Sequence, residues 1–126
     1  MTGLASQLDS LSRSIKGCRL VAYGDLESEL VLLSSGAERR PREYLDELSA
    51  EAVRLFKAFD AAELAVSAKA LSRTGLTMLK PTEVRLYMRG LEADFLCLVS
   101  DSTAHSIAAT ELTSQFLANL ARGEHD

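Results

Sequence analysis

Nucleophilic catalysis needs a nucleophile held beside a base, and this chain offers few bases. Its only histidines are His105 and His125. His125 lies in the polar stretch Arg-Gly-Glu-His-Asp at the end of the sequence. His105 stands among hydroxyls in Ser102-Thr103-Ala104-His105-Ser106. A Ser–His pair is one reading of that segment. Hydrogen bonding at a helix start is the reading its residue types favour, because Ser, Thr and Asp side chains satisfy the free N–H groups there. Neither phosphate-cradling pattern, GxxxxGK[ST] or GxGxxG, occurs. Cys18 and Cys97 sit in apolar, strand-like segments, outside any CxxC or Cys/His cluster with metal spacing. They read as buried thiols of a reducing compartment. The chain is therefore expected to be no enzyme and to need no cofactor or metal.

The charged side chains suggest contact more than chemistry. Glu43, Glu47 and Glu51 follow one another at four-residue steps. On a helix they form one row, either a solvated face or a docking strip for a basic partner. Arg39, Arg40 and Arg42 cluster just before that row. A solvated loop is the plain reading of the cluster, and an arginine finger toward a nucleotide is the sharper one. Arg42, Glu43, Glu47 and Glu51 are the candidate docking residues.

Composition bounds the rest. The 126 residues fit one domain, 1–126. Hydrophobic residues at 47% and charged residues at 25% are ordinary globular usage. A net charge of −4 with scattered Lys and Arg gives no electrostatic footprint for nucleic acid. No run approaches the ~18 apolar residues of a membrane helix. Residues 1–14 lack the basic start and apolar block of a signal peptide. Membrane insertion is not expected, and the cytoplasm is the expected location.

Several elements must position these residues. Leu4, Leu8, Leu11 and Ile15 make one helical stripe, predicting a helix from about Leu4 to Ile15 that Gly17 ends. Cys18–Tyr23 and Leu30–Ser34 read as two hairpin strands, with Gly24-Asp25 beginning their turn. Pro41 suits a first helical turn. From Arg42 to about Arg73 there is no Gly or other Pro, and helix formers dominate. Such a helix would span roughly 48 Å in a domain whose radius of gyration should be about 14 Å. A bend or break near Asp60-Ala61-Ala62 is therefore expected.

Leu45, Leu48, Ala52, Leu55, Phe59, Ala62 and Val66 repeat along this helix, beside a second stripe of Val53, Phe56, Leu64 and Leu71. Together they exceed one ~100° face. One face can cover the chain's own sheet. The surplus calls for a partner, and a second copy of the same helix is the simplest.

Three more strands follow, at Leu76–Lys80, Glu83–Arg89 and Asp94–Ser100, with Pro81 marking a turn. Val84, Leu86 and Met88 alternate with Arg85, Tyr87 and Arg89, as in a strand with one apolar and one polar face. Phe95–Val99 is apolar on both faces and should lie centrally. A last helix is expected from Ser106 to Leu120. The order αββαβββα gives an α/β (α+β) fold, a five-stranded antiparallel sheet with helices on both faces.

This order, from about Leu4 to Leu120, resembles the roadblock/dynein-light-chain superfamily. Ile15-Lys16-Gly17-Cys18 resembles the family's approach to its first strand. Tyr23-Gly24-Asp25 stands where the family has an Asp-Gly turn, here in reversed order. Phe95–Asp101 resembles the last strand with its acidic turn, and Ser106–Leu120 the closing helix. The long central helix, Pro81, and Ala104-His105 in place of an Asn-Leu-Gly sequence depart from the pattern.

The resemblance implies a strand order of 2-1-5-4-3, with the long helix on one face and the terminal helices on the other. It implies a homodimer, in which two copies of the third strand pair and the long helices pack antiparallel. Leu48, Leu55, Phe59, Ala62, Val66, Leu76, Thr77 and Met78 are then the candidate dimer interface. It brings strands one and five together, which could make Cys18 and Cys97 neighbours. It further implies a non-catalytic regulatory or scaffold subunit whose partner is a small Ras-like GTPase, with an effect on the partner's switch regions. An adaptor of a signalling or motor complex without effect on a GTPase is the alternative, and a profilin-like sensory domain is another. The last would need a pocket between sheet and helix.

Overall fold

Strand β5 (Asp94–Ser100) explains the architecture. Every one of its residues from Asp94 to Val99 is buried. It therefore lies mid-sheet, paired antiparallel with β1 (Cys18–Asp25) on one side and β4 (Val84–Arg89) on the other. The hairpin partner of β1 is β2 (Leu30–Ser35), and that of β4 is β3 (Gly75–Leu79). The sheet order is β2-β1-β5-β4-β3, as the resemblance implies. In this computed structural model the described residues are 3–36, 39–62, 75–90, 93–101 and 106–121, without the side chains of 62, 106–109 and 121. No helix among them is long and apolar enough to cross a membrane.

Alternation along the strands sends side chains to two cores. On one face Val21, Leu86, Met88, Leu96 and Leu98 pack against Leu8 and Leu11 of α1 (Leu4–Ser14) and Leu117 of α3 (Ser106–Ala121). On the other, Leu20, Ala22, Tyr87, Phe95, Cys97 and Val99 meet Leu48, Ala52 and Phe56 of α2 (Arg42–Ala62). The central helix thus covers one face and the terminal helices the other. α2 is helical through Asp60-Ala61-Ala62, where the bend or break was expected, and its expected continuation to Arg73 concerns residues 63–73, outside the described ones.

The β1–β2 hairpin departs from expectation. Gly24 and Asp25 do not open the turn. They continue β1, with Gly24 opposite Val31 and Asp25 opposite Leu30. The turn is 26–29, held by the Asp25 carboxylate, which accepts the Ser28 N–H at 2.8 Å. Glu29 takes the left-handed conformation, at φ 60°. Gly24 is glycine because of packing. A Cβ there would lie 2.4 Å from the Phe95 ring and 2.7 Å from the Leu30 carbonyl oxygen.

Candidate functional site

The flank of α2 bearing Tyr44, Glu47, Glu51 and Leu55 lies over the β3–β4 side of the sheet. Pro41 starts the helix as expected, its carbonyl accepting the N–H groups of Tyr44 and Leu45. From there the four-residue acidic row descends into the protein. Glu43 is exposed, Glu47 is half-solvated, and Glu51 is only 3% exposed. The row is therefore no single docking strip, because Glu51 belongs to the interior.

What Glu51 meets is Arg85 of β4, itself 5% exposed. The guanidinium donates to three carboxylates: Nε to Glu83 at 2.8 Å, Nη1 to Glu51 at 2.9 Å, and Nη2 to Glu47 at 2.8 Å. Lys80 Nζ lies 2.7 Å from the second Glu51 oxygen. The Tyr87 hydroxyl donates to Glu51 at 2.6 Å and the Tyr44 hydroxyl to Glu83 at 2.5 Å. Arg40 stacks over the Tyr44 ring and lies 3.5 Å from Glu83. Three carboxylates meet three cations, so the cluster is neutral and its charged atoms are multiply bonded, which burial of charge demands.

The titration behaviour follows. Burial alone raises a carboxylate, but donors from Lys80, Tyr87 and Arg85 overcome it and hold Glu51 below the usual range. Glu83 is lowered in the same way by Tyr44, Arg85 and Arg40. For Arg85, burial acts against the charge, and the three carboxylates more than restore it.

Arg85 and Tyr87 were expected on a polar face of their strand. That face is covered by α2, so both side chains are buried in the interior. Glu83, Arg85, Tyr87, Tyr44 and Lys80 escaped the sequence reading as a group. A signal existed: β4 neighbours the all-apolar β5, so any polar residue on its helix-covered face must find partners on that helix.

The candidate interface residues divide. Leu48 is 0% exposed, packed on its own sheet, and is withdrawn from the interface. Leu55, Leu76 and Met78 are half-buried at the border of the α2-side core, and Phe59 is half-buried as well. Thr77 is exposed, and Leu79 at 72% is the most exposed large hydrophobic residue among those described. Leu76, Thr77, Met78 and Leu79 belong to β3, which among the described residues is an edge strand paired with β4 alone. Ala62's side chain and Val66 lie outside the described residues, as do His105 and His125. Arg42 is not a free docking cation. Its Nε donates to Asp46 at 3.1 Å and its Nη2 to the Val31 carbonyl at 3.0 Å.

Cys18 pairs with Ser100 and Cys97 with Ala22, four positions away along β1. At about 3.3 Å per residue that separates them by roughly 13 Å, and they pack into opposite cores. They form no redox pair. Burial pushes the Cys18 thiol up to about 11 and raises Cys97 as well. Between sheet and α2, Leu48, Ala52, Tyr87, Phe95 and Cys97 pack at 0% exposure, and this filled core argues against the sensory-domain reading.

No protein-family model matches this sequence, and no curated protein sequence matches it. Solved structures do. A Roadblock/LC7 domain from Streptomyces avermitilis superposes with a TM-score of 0.76 at 9% identity, covering 99% of this chain and 100% of that one. MglB from Myxococcus xanthus gives 0.68 at 10% identity, over 94% and 97%. A structure described as MglB with a tetrameric arrangement gives 0.63 at 21% identity, over 94% of each chain. The chain has the roadblock fold. Identities this low show shared architecture only.

Proposed function

We propose that this roadblock chain is a non-catalytic, homodimeric regulatory subunit that binds a small Ras-like GTPase and biases its switch loops. One observation carries the reading. Among the described residues β3 is an edge strand, bordered on the α2 side by half-buried Leu55, Leu76 and Met78, with Leu79 72% exposed on its other face. Such a border is an interface waiting for its other half. A second copy supplies it by pairing β3 with β3 and α2 with α2. The MglB structure described as tetrameric supports self-association of this architecture. The charged outer face of α2, with exposed Glu43, Asp46, Arg54 and Lys57, then forms a paired platform for the GTPase. No residue is donated to chemistry, and the effect is a population shift of the partner's switch regions.

Self-association is tested by light scattering with Leu55→Glu and Phe59→Glu. The wild type is expected at twice the chain mass, and either variant at the single-chain mass with an unchanged far-UV spectrum. The GTPase reading is tested by adding the purified dimer to a candidate GTPase encoded beside it. A change in GTP turnover or nucleotide release is expected. Absence of co-elution together with unchanged turnover refutes it.

A further inference from the structure

The sheet has two edges, and they are built differently. The pairing of β3 with β4 is regular, running without a shift from Gly75–Met88 to Leu79–Val84. The pairing of β2 with β1 is broken. Leu33 faces Tyr23 and Val31 faces Gly24, so Leu32 is the extra residue of a β-bulge. A bulge bends an edge strand away from flat pairing. Beside it, Arg42 reaches across from α2 and donates to the Val31 carbonyl at 3.0 Å. Asp46, one helical turn on, holds the same guanidinium through Nε. The Arg42 side chain is 53% exposed, so a solvated cation stands near the start of this edge.

The edge so guarded is attractive to another strand. Leu30 and Leu32 are 45% and 55% exposed. Exposed Glu27 and Glu29 precede the strand, and exposed Arg39 follows it. Laid antiparallel against a copy of itself, β2 would match leucine with leucine and bring the acidic end of each strand toward the basic end of the other. The edge is self-complementary in both hydrophobicity and charge.

We propose that Arg42 is a latch that keeps the β2 edge closed to the β2 edge of a second copy of this chain, leaving β3 as the edge for assembly. An incoming strand needs the backbone groups of β2 and a surface free of a hydrated cation, and Arg42 occupies the Val31 carbonyl and sets its charge beside it. Releasing the latch converts a terminated sheet into one that extends at both ends.

The test compares wild type, Arg42→Ala, and Arg42→Ala combined with Leu32→Glu by sedimentation velocity over a concentration series. Arg42→Ala is expected to raise the mass above that of the wild type, to two chains if the wild type is a single chain and to an open-ended, concentration-dependent series if it is already paired through β3, so a rise is expected with or without the β3 pairing. Leu32→Glu is expected to reverse that rise. An unchanged mass for Arg42→Ala overturns the proposal, as does a rise that Leu32→Glu leaves in place. A second measurement covers loss of structure. In chains carrying Leu32→Cys under mild oxidation, Arg42→Ala is expected to speed formation of the Cys-linked dimer about tenfold, with native Leu32 chains as the control. An equal rate with and without Arg42 refutes the latch.

Discussion

At the scale of residues, the central fact is Arg85 with its three carboxylates. Removing one member of such a buried cluster leaves its partners charged and unpaired, so Arg85→Ala is expected to cost about 3–5 kcal/mol. Chemical denaturation checks this. The cluster also sets the acid response. Glu51 and Glu83 are held below the usual carboxylate range in the folded chain. The unfolded chain therefore binds more protons as pH falls through about 4.3, the ordinary glutamate value. The stabilisation is complete above that value and is lost as pH drops toward the folded-state values. Thermal melts should show a Tm that is level from neutral pH to about 5.5 and then falls steeply. Glu51→Gln is expected to lower Tm at neutral pH and to flatten part of the acid slope. A wild-type Tm that stays level to pH 3 would contradict this.

At the scale of elements, much was legible and the misreadings share a cause. The unbroken apolar run Phe95–Val99 correctly predicts a strand buried on both faces. The α2 pattern correctly predicts a helix with one face on the sheet, but that face draws Leu48 and Ala52 from the first stripe and Phe56 from the second. The misreadings arise where one residue type answers two different demands. Alternation on β4 reports which side chains are polar, but not whether their face is covered, so Arg85 and Tyr87 were assigned to solvent. Gly24 reads as turn chemistry in the sequence, yet it is needed for the closeness of the Phe95 ring. That difference is measurable. Gly24→Ala keeps an allowed backbone but forces a methyl group into Phe95 and the Leu30 carbonyl. A loss of about 1–3 kcal/mol is expected, as for an overpacked core. Equilibrium unfolding reads it directly. A true turn glycine without those neighbours would tolerate alanine far better.

At the scale of the whole molecule, the sheet is organised around a strand that comes late in the chain. β5 joins the two hairpins: Asp25 pairs with Asp94 and Cys18 with Ser100, bridging most of the chain, whereas β1–β2 and β3–β4 are local. A chain cut after Gly90 would keep both hairpins but lose the strand that unites them. It is expected to lack cooperative unfolding and native-like circular dichroism. If it retained both, the central role given to β5 would be wrong. The same connectivity governs synthesis. While the ribosome is still making the residues before Asp94, neither hairpin has a central strand to dock on, and their greasy faces stay open to the crowded cell. Productive collapse must wait until β5 has left the exit tunnel, and until then the hairpins depend on whatever shields a nascent chain.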